Sequence, residues 1–157
     1  MLYFALKVVH ILAAVLFLGT GLGSAWYKWR ADRSGDVRVI VWAAREIVLA
    51  DWLFTVPAGV LLPLSGLWLA VRGGHDWTSG WVLWGLCGYA VAGVTWLPAA
   101  WLQLRMRALA ETALREGTEI PPLFHRYARI WAALGVPSFG AAILTVWVMT
   151  ARYAAFG

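Results

Sequence analysis

Lys7 and His10 stand three residues apart in an apolar stretch, where an ionisable side chain is costly and therefore a functional candidate. That spacing places both side chains on one face of a helix. A neutral imidazole ligates iron or copper, or it hydrogen-bonds to a neighbouring helix. The lysine either extends to the lipid headgroups or accompanies the histidine at a site.

Other soft metal ligands are expected at the same end of the molecule. His75 lies between two apolar segments, Cys87 lies about two turns into the next segment, and Met149 lies near the end of the last one. A haem b held by His10 with His75, Met149 or no second protein ligand is one hypothesis. A copper site formed by His10, Cys87 and Met149 is the other. Spacing alone does not distinguish them.

Three further residues are weaker candidates. Asp51 could function as an intramembrane acid. The favoured interpretation is that it is an interfacial carboxylate paired with an arginine from one of the connections between the apolar segments. His125 and Arg126 could contact a haem propionate, a lipid phosphate or a nucleotide. A solvated helix start is the preferred interpretation of both.

Soluble catalytic signatures are absent from the chain. It has no P-loop, no Gly-x-Ser-x-Gly, no Cys-x-x-Cys and no His-Glu-x-x-His, which argues against the ATPases, hydrolases and zinc proteases that depend on them. Cys87 is the only cysteine, so an intrachain disulfide is impossible.

These candidates must be positioned by four long apolar segments. Hydrophobic residues make up 62% of the 157-residue chain, whereas soluble domains have about 45–50%. Each segment reaches the roughly 20 residues that a bilayer-spanning helix needs. The sequence predicts an all-α, four-transmembrane-helix bundle forming one domain over 1–157. Its helices are predicted at about 4–27, 37–71, 80–116 and 124–151.

Two of these helices are predicted to extend beyond the bilayer. Asp36 can cap a helix that begins near Val37. Glu111 and Arg115 have the four-residue spacing of a helical ion pair, and Gly117 is expected to end that helix.

The basic residues predict an orientation, because cytoplasmic connections hold the excess of Lys and Arg. Lys7, Arg72 and Arg152 are assigned to the other side, so both termini are predicted to face outward. This is the topology of a multi-pass protein of the bacterial inner membrane, and it accounts for the net charge of +5 without nucleic-acid binding. Ten of the 13 basic residues lie in the two predicted cytoplasmic connections: Lys28, Arg30, Arg33, Arg38, Arg45, Arg105, Arg107, Arg115, Arg126 and Arg129.

Several runs of the sequence resemble a known family of integral membrane proteins, the domain of unknown function 2269. The resemblance covers almost the whole chain and implies a membrane protein without implying an activity. The runs that carry it are Leu6–Ile11, Val48–Trp52, Pro63–Leu69, Trp96–Pro98 and Pro121–Arg126.

A more distant resemblance concerns the cofactor. Lys7-x-x-His10 and the run Gly66–Leu69 are similar to the bacterial four-helix protoporphyrinogen oxidases, and the overall plan is similar to the copper-resistance D proteins. The oxidase resemblance implies that His10 binds haem. The chain departs from the oxidase pattern in its third helix, where Trp84 or Gly85 replaces a lysine, and at Gly135-Val136, which replaces an Asn-Glu pair.

The sequence therefore favours a membrane protein that binds haem b near its outer face, with His10 as axial ligand, and that acts in electron transfer or in porphyrin or quinone redox chemistry. A copper-handling or transport accessory protein is the alternative. A cofactor-free bundle that assists a membrane protein partner is the third hypothesis. Small residues and exposed tryptophans on the first helix would permit a homodimer.

Overall fold

The protein is a bundle of four long helices. The computed structural model describes residues 1–155, and side chains as far as residue 151; the Arg152 side chain, assigned above to the outer side, lies outside the described residues. Each helix contains an apolar window long enough to cross a bilayer. The predicted all-α, four-span architecture is confirmed. The helices are α1 (Leu2–Ser34), α2 (Val37–Arg72), α3 (Gly80–Glu116) and α4 (Pro122–Ala155).

Local signals explain where the helices begin and end. Asp36 precedes α2, and its Oδ1 accepts a hydrogen bond of 2.8 Å from the backbone N–H of Arg38, which satisfies a donor that the helix leaves unpaired. Gly35 and Gly117 follow α1 and α3 with φ of 68° and 66°, a conformation that glycine adopts without steric cost. The predicted cap and the predicted stop at Gly117 are both confirmed.

Helix α1 continues seven residues beyond the predicted end at 27. The ammonium of Lys28 pairs with Asp32 one turn later, at 2.7 Å, and this spacing supports a helix. The polar composition of 28–34 therefore marks the part of α1 near the membrane surface and does not mark a loop.

One turn of α2 is widened. Residues Asp51–Thr55 form a π-helical turn, in which the N–H of Val56 bonds to the carbonyl of Asp51. Pro57 follows directly and clashes in a regular α-helix with the carbonyl four residues earlier. Adding one residue to the turn relieves that clash, and such turns occur frequently at functional sites.

The two ends of the bundle differ in how the helices pack. The basic end holds the α1–α2 and α3–α4 connections, and the loop end holds residues 73–79 and the start of α1. Helix α3 packs extensively against α4, α1 packs against α2, and the first part of α2 packs against α3. The contacts between α1 and α4 are few. The two pairs are therefore joined mainly at the basic end and leave space between them toward the loop end. The basic-end core comprises Ile40, Val41, Leu102, Met106, Ala110 and Phe124.

Close packing of α3 on α4 depends on small residues. A Cβ at Gly88 would collide with the hydroxyl of Thr145, so the two backbones approach as closely as glycine allows. The opposite faces of the helices expose large apolar side chains, such as Val136 at 74%. A continuous surface of this kind requires lipid, and the predicted bilayer environment is confirmed. Exposed tryptophans flank it near both ends, as in an aromatic belt: Trp26, Trp42, Trp101, Trp77 and Trp147.

The basic end carries a small ion-pair network outside the bilayer. Oε1 of Glu111 accepts from Nε of Arg45 at 2.7 Å and from Nε of Arg107 at 3.1 Å. The hydrogen bonds from Arg45 and Arg107 lower the pKa of Glu111. The predicted pairing of Glu111 with Arg115 is wrong, because Arg115 bonds to Thr112 and Arg45 of α2 reaches the carboxylate across the helix interface.

Candidate functional site

A largely apolar cavity of about 460 Å³ opens between the helix pairs at the loop end. We call it the loop-end cavity. Its volume falls within the range of about 300–1,000 Å³ that small-molecule sites occupy. Residues of all four helices line it, among them His10 of α1, Gly66 of α2, Tyr89 of α3 and Met149 of α4. The structure therefore brings His10 and Met149 to one cavity, which agrees with one of the ligand sets that the haem hypothesis left open.

The orientation of His10 is set by α2. Nδ1 of His10 lies 2.8 Å from Oγ of Ser65. That hydroxyl has one proton, which it donates to the carbonyl of Leu61 at 2.5 Å, so it accepts a hydrogen bond from Nδ1–H. Nε2 is then the unprotonated nitrogen, with a lone pair available to a ligand. This is the arrangement that second-shell partners impose on metal-ligating histidines.

Two glycines make room for the candidate ligands. A Cβ at Gly66 would lie 3.0 Å from Cε1 of His10, so the imidazole rests against the backbone of α2. A Cβ at Gly85 would collide with the methyl group of Met149, so the thioether rests against α3. Both side chains are held by backbone contact at the cavity wall.

Hydroxyl groups in the cavity wall bond to backbone carbonyls. Tyr89 donates to the carbonyl of Gly59 at 2.6 Å, and Thr145 donates to that of Ala141 at 2.8 Å. These bonds direct the hydroxyl protons into the helices and away from the cavity. The wall consequently presents mainly hydrocarbon together with the imidazole and the thioether.

The other predicted ligands lie elsewhere. Lys7 is exposed one turn before His10. His75 stacks edge-on against Trp81, with ring centroids 5.1 Å apart, and is not among the residues lining the cavity. Cys87 is exposed and does not line it either, so the structure does not assemble the predicted His10, Cys87 and Met149 copper site. The part of the chain that the structure describes contains no group of three or more His, Cys, Asp or Glu positioned for a metal.

Asp51 does not form the predicted interfacial ion pair. Its side chain is buried, at 8% exposure, and Oδ1 accepts a hydrogen bond of 2.7 Å from the hydroxyl of Thr55. The prediction of an arginine partner is wrong, because the neighbouring Arg45 pairs with Glu111. Asp51 and Thr55 are the first and last residues of the π-helical turn and lie on the face of α2 that packs against the other helices, whereas Trp52, Leu53 and Phe54 between them are exposed.

His125 and Arg126 occupy the exposed first turn of α4. His125 contacts the ring of Phe124 edge-on, at 5.6 Å between centroids. Both lie at the basic end, far along the bundle from His10 at the loop end. This placement suits the preferred interpretation of a solvated helix start.

Sequence reasoning missed several polar residues that the structure buries. Ser65 orients His10, Gln103 lies between helices near Asp51, and Lys28 is covered by the ring of Phe124 at 4.6 Å from its centroid. A sequence signal existed for Gln103, an amide in an apolar helix. Lys28 was counted only as a cytoplasmic charge, since composition cannot show which face of a helix a residue occupies.

Comparisons with known proteins agree with this architecture. No curated protein matches the chain, and no solved structure matches it. The family model described as predicted integral membrane protein (DUF2269) matches residues 4–153. With four helices able to span a bilayer and a match over nearly its whole length, the chain belongs to the DUF2269 family of predicted integral membrane proteins.

Proposed function

We propose that the protein binds haem b in the loop-end cavity, with Nε2 of His10 as an axial ligand, and serves in electron transfer or in porphyrin or quinone redox chemistry. One observation carries the proposal. An apolar cavity of ligand size is lined by an imidazole whose Nδ1 is hydrogen-bonded to Ser65, which leaves the Nε2 lone pair for a ligand.

The residues present fit this group. Haem has a broad apolar face, which the hydrocarbon wall would cover, and its iron accepts histidine alone or histidine with methionine. Met149, in the same cavity, is the candidate second ligand. Lys7 and Arg72 lie toward the loop end and would supply positive charge for the propionates. When bound, haem would supply one-electron chemistry, while the chain binds it, orients it and excludes water.

The orientation of the site follows from the distribution of basic residues. Cytoplasmic connections hold the excess of Lys and Arg, and the structure has these residues at one end of the bundle. We therefore place the basic end in the cytoplasm and the haem near the outer face of a bacterial inner membrane. Both termini would then lie outside.

The test is an absorption spectrum of detergent-purified protein, oxidised and dithionite-reduced, produced with ample haem supply. We expect a Soret band that is lost in His10→Ala and retained in His75→Ala and Cys87→Ala. Absence of the band from the wild-type protein would overturn the haem proposal.

Copper remains the second candidate, because His10 and Met149, both ligands that copper accepts, line one cavity. Stoichiometric copper in a colourless preparation, lost in both His10→Ala and Met149→Leu, would favour a copper-handling protein. A preparation with neither ligand would favour a structural subunit of a membrane complex.

A further inference from the structure

A second polar site lies in the middle of the bundle, separate from the proposed haem site. Asp51 begins the π-helical turn of α2, and Thr55 bonds to its Oδ1. Gln103 of α3 faces the same carboxyl group. Among the side chains that the structure describes, none is within hydrogen-bonding geometry of the buried Oδ2. An ionised carboxylate is costly in such a position, and an intramembrane acid is a functional candidate by default.

The carboxyl group borders a small cavity of about 60 Å³, which we call the Asp51 cavity. A volume of roughly 10–15 Å³ is enough for one water molecule, provided that polar partners are present. Ser24 of α1, Gln103 of α3 and Ser138 of α4 line the cavity together with Asp51. The site therefore has room for water and polar groups that can accept a hydrogen bond from a protonated Oδ2.

No cation balances the charge of Asp51. Of the described residues that line the Asp51 cavity from the four helices, Asp51 alone is charged or titratable in the physiological range. Lys28, one turn after Ser24 on α1, is already paired with Asp32 at 2.7 Å. On α2 itself, Arg45 is paired with Glu111 and Glu46 is exposed. Protonation would avoid a buried charge without any cationic partner from the protein.

The Asp51 cavity has polar neighbours toward the basic end and apolar neighbours toward the loop end. Gln103 also lines a narrow crevice of about 10 Å³ beside Lys28 and Asp32, and Asp32 reaches solvent, with 24% of its side chain exposed. In the other direction, apolar Phe17, Leu18 and Ala142 line both the Asp51 cavity and the loop-end cavity. Their side chains carry no polar atom that could hold water on this side.

We propose that Asp51 is an intramembrane proton-binding site that exchanges with water at the basic end past Gln103 and the Lys28–Asp32 pair. A hydronium ion at the basic end releases a proton and becomes water, the proton forms the O–H bond at Oδ2, and the side-chain charge changes from −1 to zero. The protonated group then donates a hydrogen bond to water in the cavity or to the Gln103 amide oxygen. On deprotonation the proton returns by the same route.

The test is infrared spectroscopy of the full-length protein in lipid, because a protonated carboxyl group has a carbonyl stretch that a carboxylate lacks. We expect this band near neutral pH and expect it to disappear at higher pH in a titration from about pH 5 to 9, the range that buried acids reach. Asp51→Asn should remove the band. Asp76→Asn, which changes an exposed acid at the loop end, should leave it unchanged.

Two further measurements test the site and its route in folded protein. In D₂O the carboxyl O–H exchanges to O–D, so the frequency of the wild-type carbonyl band should shift promptly. This exchange should be at least several-fold slower in Gln103→Leu. Sodium chloride and choline chloride should leave the band equally intense.

Three results would overturn the proposal. The first is an Asp51 that is ionised throughout the titration, and the second is a carbonyl band that survives Asp51→Asn. The third is a band abolished by sodium but not by choline, which would identify a cation site instead. An exchange rate unaffected by Gln103→Leu would refute the route.

Discussion

Ser65→Ala should weaken haem binding without unfolding the protein. Ser65 contacts His10 by a hydrogen bond of 2.8 Å to Nδ1, and alanine removes this bond without removing the imidazole. Loss of a second-shell partner of a histidine ligand costs about 10–100-fold in affinity. At about 1.4 kcal/mol per tenfold, this corresponds to about 1.4–2.8 kcal/mol.

The assay is titration of apo-protein with haem in detergent, followed by the Soret band. Ser138→Ala is the matched control, because Ser138 also forms a hydrogen bond between helices, by donating to the carbonyl of Ala92 at 3.3 Å, but does not line the loop-end cavity. Equal dissociation constants for the wild type and Ser65→Ala would refute the assigned role of Ser65. An equal loss in both serine variants would show a general packing effect instead.

Three other predictions concern stability in detergent. Gly88→Ala should destabilise the protein by about 1–3 kcal/mol through overpacking against Thr145, whereas Gly93→Ala, whose Cβ would meet nothing within 4 Å, should stay within about 0.5 kcal/mol in thermal unfolding. Lys28→Met should destabilise more than the same change combined with Asp32→Asn, because the single change leaves a half-buried carboxylate unpaired; equal melting temperatures would contradict this. Because its pKa is lowered in the folded state, the Glu111 carboxylate stabilises the protein above the ordinary pKa of 4.5, and this contribution is lost as pH falls through the folded-state value. The melting temperature should therefore decrease less on acidification through that range for Glu111→Gln than for the wild type.

Much of the fold could be predicted because its signals are local. A bilayer-spanning helix needs only a long apolar run, and Asp36 and Gly117 act within one helical turn of themselves. The end of α1 could not be predicted as well, since Lys28 and Asp32 look polar whether they form a loop or a surface-level helix. The π-helical turn at Asp51 was also not predicted, although Pro57 is its local cause.

The candidate site was only partly predictable. His10 and Met149 were selected by residue type and expected depth, and the structure brings them to one cavity. Cys87, chosen by the same criteria, faces away from it, because depth along a helix does not determine the side on which a residue lies. Ser65 and Gln103 were missed because a hydroxyl or amide becomes significant only through its neighbour on another helix.

The sequence by itself determined that this chain is a four-helix membrane protein with its positive charge at one end, because length, hydropathy and charge are properties of segments. Only the tertiary structure decided that α1 and α4 separate at the loop end to leave a cavity, that Ser65 holds His10, and that Asp51 is buried without an arginine. Those outcomes depend on how each helix is rotated about its axis and on how closely two helix backbones approach at residues such as Gly88. They arise from packing between segments distant in the chain, which no local pattern encodes.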